Sequence, residues 1–153
     1  MLRVSKLADY GTVVMVYLAK HSQELCNARD IALHTHLTVP TVSKILKRLT
    51  SAGLLTSVRG VSGGYRLQRP AAEISVSQII FALEEHRGFT ECSMQPNDCF
   101  LQGVCTIQGN WRLISHAIET ALDSVSLEAL AKPTLPTRDV ERVRQLASGV
   151  NRG

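Results

Sequence analysis

The sequence predicts a mainly α-helical protein with a small β-hairpin wing, built as a winged helix-turn-helix plus a long dimerisation helix. Three observations predict this class. Apolar residues recur at helical spacing in the first fifty residues, two short extended runs flank a glycine-rich loop at residues 59–64, and a heptad-like apolar series begins at Ile107. We therefore expect a winged-helix domain over residues 1–84, followed by a loop over 85–106, a dimerisation helix over 107–132 and a poorly ordered tail over 133–153.

The first helix is predicted over residues 3–20. Its apolar side chains follow a spacing that places them on one helical face: Leu7, Tyr10, Val14, Tyr17 and Leu18. After a turn, Asn27 can cap a short second helix through its side-chain oxygen, and Ile31 and Leu33 supply the apolar residues of that helix.

Thr38 can cap a third helix, and Pro40 is tolerated in the first turn of that helix. The side facing the core shows i, i+3, i+4, i+7 spacing: Val42, Ile45, Leu46 and Leu49. Gly53 is expected to end the helix in the left-handed conformation. The extended runs at residues 54–58 and 65–67 then form a hairpin around the glycine-rich loop.

A fourth helix is predicted over residues 74–83, with Ser75 or Ser77 near its start, and residues 86–105 lose all periodicity. The last apolar series steps alternately by four and three residues: Ile107, Trp111, Ile114, Ile118, Ala121 and Val125. Such a seam suits a helix that packs against a partner helix, and an ordinary core-facing helix is the alternative.

Composition excludes several classes of protein. The chain has 153 residues, of which 44% are hydrophobic and 20% charged, enough apolar material for one core of ordinary size. No stretch approaches the roughly 20 uninterrupted apolar residues that cross a bilayer, and the start lacks the apolar run of a signal peptide. We therefore expect a cytoplasmic protein with no membrane partner, whose four cysteines serve as free thiols, metal ligands or redox sensors.

Positive charge is concentrated in the first part of the chain. Residues 1–70 carry ten Lys and Arg against three acidic residues, and the remainder carries seven against ten. This asymmetry favours a polyanionic partner for the first part, with chance asymmetry on a solvated surface as the alternative. The second helix of a helix-turn-helix enters the major groove, and an arginine on a glycine-rich wing suits a narrow minor groove. Together these features predict double-stranded DNA binding through Thr38, Thr41, Ser43, Lys44, Lys47 and Arg48 of the third helix and Arg59, Gly60 and Ser62 of the wing.

Three of the four cysteines, Cys92, Cys99 and Cys105, are spaced C-x6-C-x5-C at a place with few apolar neighbours. Their thiolates can converge on zinc or on an iron-sulfur cluster, and the spacing lacks the C-x2-C pairs of structural zinc sites. Cys26 lies far from them and is expected to be a small buried apolar residue. Three thiolates need a fourth ligand, for which spacing leaves several candidates open: Asp9, Glu91, Asp98, Gln108 and His116.

Four segments carry a family resemblance: residues 1–10, the wing at residues 57–67, the three-cysteine loop, and Asn110 with Trp111. With these segments, about residues 1 to 130 resemble the IscR/NsrR family of bacterial winged-helix iron-sulfur regulators. The start of the third helix, residues 40–44, is similar to that of regulators of the SUF iron-sulfur assembly system. The resemblance implies a homodimer joined through the long helix, with one cluster per subunit and each subunit binding one half of a palindromic promoter site.

The fourth ligand departs from one branch of this family. The assembly regulators complete a 2Fe-2S site with a histidine three residues after the last cysteine, where this chain has Gln108. The nitric-oxide-sensing branch uses an acid on helix one of the other subunit, and Asp9 is the matching residue. The resemblance therefore implies Cys92, Cys99 and Cys105 from one subunit with Asp9 from its partner, around a cluster expected to be 2Fe-2S rather than 4Fe-4S.

The sequence thus predicts a homodimeric, non-enzymatic transcription regulator that binds an iron-sulfur cluster and controls SUF-type cluster assembly genes. One alternative is a winged-helix repressor that senses oxidants through metal-free thiols or senses nitric oxide. Another is a small electron-transfer enzyme that carries a cluster. No nucleophile–base pair, phosphate-binding motif or pair of carboxylates indicates hydrolysis.

Overall fold

The computed structural model describes residues 4–84 and 105–132. Most of the predicted cysteine loop, including Cys92 and Cys99, and the predicted tail over 133–153 lie outside the described residues. The elements in chain order are α1 (Lys6–Lys20), α2 (Ala28–Thr35), α3 (Val39–Ser51), β1 (Leu55–Val58), β2 (Gly64–Leu67), a 3-10 turn (Ala71–Glu73), α4 (Val76–Leu83), α5 (Gln108–Asp123) and α6 (Leu127–Ala131).

The first three helices each begin at a side-chain cap. The Ser5 hydroxyl accepts from the Ala8 amide, the Asn27 amide oxygen accepts from the amides of residues 29 and 30, and the Thr38 hydroxyl accepts from the Thr41 amide. Each cap satisfies amides that have no partner inside the helix. The predicted caps Asn27 and Thr38 are confirmed.

The buried face of α1 differs from the predicted one. Its fully buried positions include the small residues Ala8 and Gly11, whereas Leu7, Tyr10 and Tyr17 only pack against the margin of the core. A Cβ on Gly11 would overlap the Leu83 side chain, so the missing side chain lets α4 approach α1 closely. A pattern based on large apolar residues missed this stripe because small residues set the spacing between the two helices.

Helix α3 supplies the centre of the core. Its four predicted apolar residues are fully buried: Val42, Ile45, Leu46 and Leu49. Gly53 follows the helix with φ +72°, as predicted. Helix α2 contains Ile31 and Leu33 as predicted. Ile31 and Ala32 are its buried residues, and Leu33 is 70% exposed.

The wing is a two-stranded antiparallel hairpin in which Leu55 pairs with Leu67 and Val58 with Gly64. Cys26 adds a bridge on the outer side of β2, with its amide 3.0 Å from the Tyr65 carbonyl and its carbonyl 2.9 Å from the Tyr65 amide. A Cβ on Gly64 would meet the Cys26 backbone at 2.9 Å, so glycine is required for this close pairing. The buried position predicted for Cys26 is confirmed.

The predicted single helix over residues 107–132 is wrong in its second half. Helix α5 ends at Asp123, so Val125 lies beyond the helical seam, and a separate helix α6 begins after the Ser126 cap. The segment between them pairs with the start of α4, where the Leu127 amide donates to the Ile74 carbonyl at 2.7 Å. Leu127 is fully buried, so α6 belongs to the core of the winged domain.

Helix α4 begins at Ser75, one of the two predicted starts. Its side chain and that of Gln78 form a capping box. Ser77, the other predicted start, is instead a buried polar residue of the first turn. No helix in residues 4–84 or 105–132 combines the length and apolar character needed to cross a membrane.

Candidate nucleic-acid interface

The outer face of α3 is polar and basic. Ser43, Lys44 and Lys47 are exposed, while the opposite face carries the buried core residues. The hydroxyl groups of Thr38 and Thr41 at the start of the helix are hydrogen-bonded to each other, with their oxygens 2.8 Å apart. A groove-binding helix presents this combination, since lysines contact phosphates or guanine edges and hydroxyls contact either.

Arg48 occupies a different position from these lysines. It is half-buried, and its Nη1 donates to the Leu83 carbonyl at 2.7 Å, at the C-terminal end of α4. A cation there hydrogen-bonds a carbonyl left free at the helix end and fixes α3 against α4. Residue spacing could not have predicted this contact, because the partner is a main-chain group 35 residues away.

The tip of the wing is held by backbone contacts. The Gly63 amide donates to the Gly60 carbonyl at 3.0 Å, Gly60 has φ +119°, and a Cβ on Gly63 would overlap the Val58 carbonyl. Glycine is therefore needed at both positions. Arg59, Val61 and Ser62 are all exposed around this turn. The tip can thus approach a phosphate backbone with Arg59 extended beside it.

From the middle of α2 to the end of the wing, the chain carries no negative charge. Between Ile31 and Ala72 the chain has six Lys and Arg and no Asp or Glu. This stretch includes every residue predicted to contact DNA. The absence of acids matters because a single carboxylate at a phosphate-binding surface repels the backbone it should bind.

Ring stacking positions the first helix of the pair. The Tyr17 ring of α1 stacks on His21 at a centroid distance of 4.3 Å and on His34 of α2 at 5.5 Å. The His21 Nδ1 also lies 2.9 Å from the Tyr17 carbonyl oxygen. These contacts join the end of α1 to α2. The residues have a structural role that sequence reasoning did not assign to them.

Of the four predicted cluster ligands, the structure describes Cys105 and Asp9. Cys105 is a free, half-buried thiol shortly before α5. Asp9 is exposed in the first turn of α1, and its carboxylate makes no hydrogen bond or ion pair with another described residue. Both donors are thus free to bind a metal centre. Within residues 4–84 and 105–132, no three acidic, Cys or His side chains lie close enough to hold a metal ion.

Cys26 is not a candidate ligand. Burial raises the pKa of its thiol, and the carboxylates of Glu24 and Asp30 raise it further. A protonated thiol is a poor metal ligand and a poor nucleophile. Cys26 therefore acts as a small packing residue under the wing.

Residues 4–133 match the family model of Rrf2, described as an iron-dependent transcriptional regulator. The chain belongs to the Rrf2 family. The family match confirms the predicted resemblance and shows that the protein is a transcription regulator. It also confirms that the protein is not an enzyme.

Individual Rrf2 relatives agree with this assignment. The chain is 34% identical to the HTH-type transcriptional regulator IscR of Photorhabdus laumondii over 130 residues, which cover 84% of this chain and 79% of the relative. It is similar to the structure of CymR, the global cysteine regulator of B. subtilis, with TM-score 0.66, 31% identity and coverage of 86% and 97%. It is also similar to the structure of T. potens IscR, with TM-score 0.64, 28% identity and coverage of 90% and 96%. The predicted winged-helix fold is therefore confirmed.

Proposed function

We propose that this Rrf2 protein is a homodimeric transcription regulator that binds a palindromic promoter site and whose DNA affinity is set by an iron-sulfur cluster. The observation that carries the proposal is the position of Cys105. This free thiol stands shortly before a helix whose own apolar side chains find no core in the described chain. The proposed cluster ligand and the proposed dimer surface are therefore neighbours in the chain.

The dimer is supported by the exposure of α5. Leu113 is 69% exposed and Ile114 is 44% exposed, and no residue of α5 is fully buried among those whose side chains are described. A second copy of the helix would cover this surface. Two copies related by a twofold axis present two α3 helices, which suits half-sites about one DNA turn, near 34 Å, apart.

The cluster is assigned to Cys92, Cys99 and Cys105 of one subunit and Asp9 of the other. Thiolates are the usual ligands of such clusters, and a carboxylate replaces the histidine that Gln108 cannot provide. We expect the 2Fe-2S form. The cluster would assemble when iron is available and would be lost on oxidation, so its presence would report both conditions.

Contacts at the end of α4 link the ligand positions to α3. Leu83 accepts the hydrogen bond from Arg48 of α3, and the Glu84 carboxylate accepts from the Ser5 amide at 2.9 Å at the start of α1. Asp9 lies one turn further along α1, and the cysteine loop begins directly after Glu84. A change in the position of Asp9 or of the cysteine loop would therefore move residues that contact α3. The free-energy coupling between cluster binding and DNA binding is expected to be roughly 1–3 kcal/mol.

The target genes are proposed to be those of SUF-type iron-sulfur assembly. The similarity to IscR and the helix-three opening at residues 40–44 support this choice. A regulator that loses its cluster when iron is scarce would report directly on the demand for cluster assembly.

The test is the iron and acid-labile sulfide content of protein purified without oxygen, with promoter affinity of the loaded and cluster-free forms. We expect about two irons and two sulfides per subunit. C105A should lose both, D9A should alter the visible spectrum or weaken cluster retention, and C26A should behave like the wild type. Equal promoter affinity of the loaded and cluster-free forms would refute control by a cluster.

A metal-free thiol switch is the second candidate, favoured by the likeness to CymR, the global cysteine regulator of B. subtilis. In this case Cys92, Cys99 and Cys105 would form sulfenate or disulfide products that change DNA affinity. Absence of iron after anaerobic reconstitution, together with DNA binding that depends on oxidant and is restored by thiol reductants, would select it. If nitric oxide alone releases the DNA from iron-loaded protein, the nitric-oxide-sensing variant is selected instead.

A further inference from the structure

The tip of the wing carries an apolar side chain with no partner in the described structure. Val61 is fully exposed, with a relative accessibility of 108%, the highest among the exposed large hydrophobic residues. Turn positions of this kind ordinarily carry Gly, Asn, Asp, Ser or Pro, which suit water or the turn backbone. The Val61 side chain contributes no stability to the fold, because it packs against no other described residue.

The backbone around Val61 keeps it at the tip. The Gly63 amide donates to the Gly60 carbonyl at 3.0 Å and closes the turn, and Gly63 packs so closely against the Val58 carbonyl that a Cβ would overlap it. The turn is therefore tight, and Val61 stands exposed at its end. The B-DNA minor groove is about 6 Å wide, so a hairpin tip with one short branched side chain can enter it.

The charge around Val61 identifies its partner. Arg59 lies two residues before it and Arg66 on β2, and residues 55–68 contain no acidic residue. A basic hairpin with an apolar tip suits a partner that is negatively charged at its surface and has apolar groups in a groove. The minor groove meets both conditions, because phosphates line its walls while sugars and base edges form its interior.

We propose that Val61 enters the minor groove beside each half-site and selects A·T pairs there. In a G·C pair the guanine 2-amino group projects from the groove floor into the space that the Val61 methyl groups would occupy, whereas an A·T pair leaves that space open. Arg59 is attracted to the same narrow, A·T-rich groove. The proposal rests on the promoter-binding role proposed above. It adds a residue that distinguishes base pairs by the shape of the minor-groove floor.

The experiment uses inosine, which lacks the 2-amino group but presents the major-groove edge of guanine. A high-affinity duplex is first selected from random DNA with the wild-type protein. Each A·T pair flanking the half-sites is then replaced by G·C or by I·C, and affinity is measured by fluorescence anisotropy. We expect one such G·C replacement to weaken wild-type binding about fivefold or more and the matching I·C replacement to keep it within about twofold.

In the variant V61A the affinity difference between the G·C and I·C duplexes should shrink to about twofold or less, because the methyl groups that meet the amino group are gone and only the attraction of Arg59 to a narrow groove remains. V58A is the matched control, since it removes the same methyl groups from an exposed valine at the end of β1, where the strand meets the loop. It should keep the wild-type preference. Loss of the preference in V58A as well would assign the effect to the hairpin as a whole and overturn the proposal.

Two other outcomes separate this inference from the function on which it rests. Tight binding of the wild type with equal affinity for G·C and I·C duplexes would overturn the role of Val61 and leave promoter binding intact. Failure of the wild type to select any duplex from the random pool would contradict promoter binding itself. Equal weakening by G·C and I·C would point to a major-groove contact and would also overturn the role of Val61.

Discussion

The two described parts of the chain differ in how completely they bury their apolar residues. All fully buried hydrophobic residues except Leu127 lie in residues 4–84. Helix α5, by contrast, leaves Leu113 and Ile114 largely exposed. The first part holds nearly all of the closed core, which Leu127 completes. The second part leaves an apolar surface, which we propose a second subunit covers.

The two parts are nevertheless joined firmly. The Ser75 hydroxyl at the start of α4 donates to the Asp123 carboxylate at the end of α5 at 2.7 Å, and Leu127 inserts into the core directly afterwards. The end of α5 is therefore fixed to the winged domain. A dimer formed through α5 would in turn fix the separation of the two α3 helices.

The largest effect is expected from Ile114→Glu. A carboxylate in the apolar seam should separate the dimer, and losing the second half-site contact should lower affinity for a palindromic duplex by about 10²- to 10⁴-fold. Sedimentation and anisotropy measure the two effects, while circular dichroism should show an intact winged domain. His116→Glu places the same charge on the exposed outer side of α5 and should remain dimeric. A dimeric I114E protein with wild-type affinity would show that α5 is not the interface.

Leu127→Ala tests whether α6 belongs to the first part. Leu127 is fully buried, so its truncation leaves a cavity and should lower the free energy of unfolding by about 2–5 kcal/mol. Urea denaturation measures the change. Leu130→Ala in the same helix, where the side chain is only half-buried, should cost clearly less. An equal and small cost at both positions would mean that α6 does not dock on the core.

Local signals in the sequence were sufficient for most elements of the first part. Thr38 and Gly53 mark the ends of α3 through chemistry that acts within one turn, and the apolar spacing of α3 identified its buried face. Leu33 was correctly placed in α2, but the presence of an apolar residue does not say whether a neighbouring element covers it. Ala32 is buried there and the larger Leu33 is exposed.

Contacts between distant residues explain what the sequence could not predict. The end of α5 depends on pairing between Ser126 and Ser75, and the inward position of Arg48 depends on the Leu83 carbonyl. Neither partner is visible from spacing along the chain. The DNA-contacting and cluster-binding residues remain predictions for the same reason, since their partners are other molecules.

Arg48→Gln tests whether Arg48 holds α3 against α4, in contrast to the exposed lysines of α3, which are predicted to contact DNA. Loss of the hydrogen bond to the Leu83 carbonyl should lower the free energy of unfolding by about 1 kcal/mol, a modest value because Arg48 is partly exposed. Lys47→Gln removes an exposed charge and should leave stability within about 0.5 kcal/mol. It should instead reduce the salt dependence of DNA binding by about one phosphate contact. Equal stabilities of R48Q and K47Q would contradict a positioning role for Arg48.

The smallest effect concerns the two described thiols, Cys26 in the closed part and Cys105 beside the open one. Because the folded-state pKa of Cys26 is raised, the folded protein holds this proton more tightly than the unfolded chain does. The corresponding stability is complete below the ordinary thiol pKa near 8.5 and is lost as pH rises through the folded-state value. The pKa of Tyr17 is also raised, so its ionisation likewise lowers the stability of the folded protein, at still higher pH.

Urea denaturation at pH 7 and pH 9.5 should therefore show a smaller loss of stability for C26A than for the wild type. Iodoacetamide with peptide mapping gives an independent measure in the cluster-free protein. Cys105 should be alkylated in the native state and Cys26 only in urea, because a buried protonated thiol offers no nucleophile. Alkylation of native Cys26 at the rate of Cys105 would show that the wing opens away from α1. The first part would then be less closed than its buried core indicates.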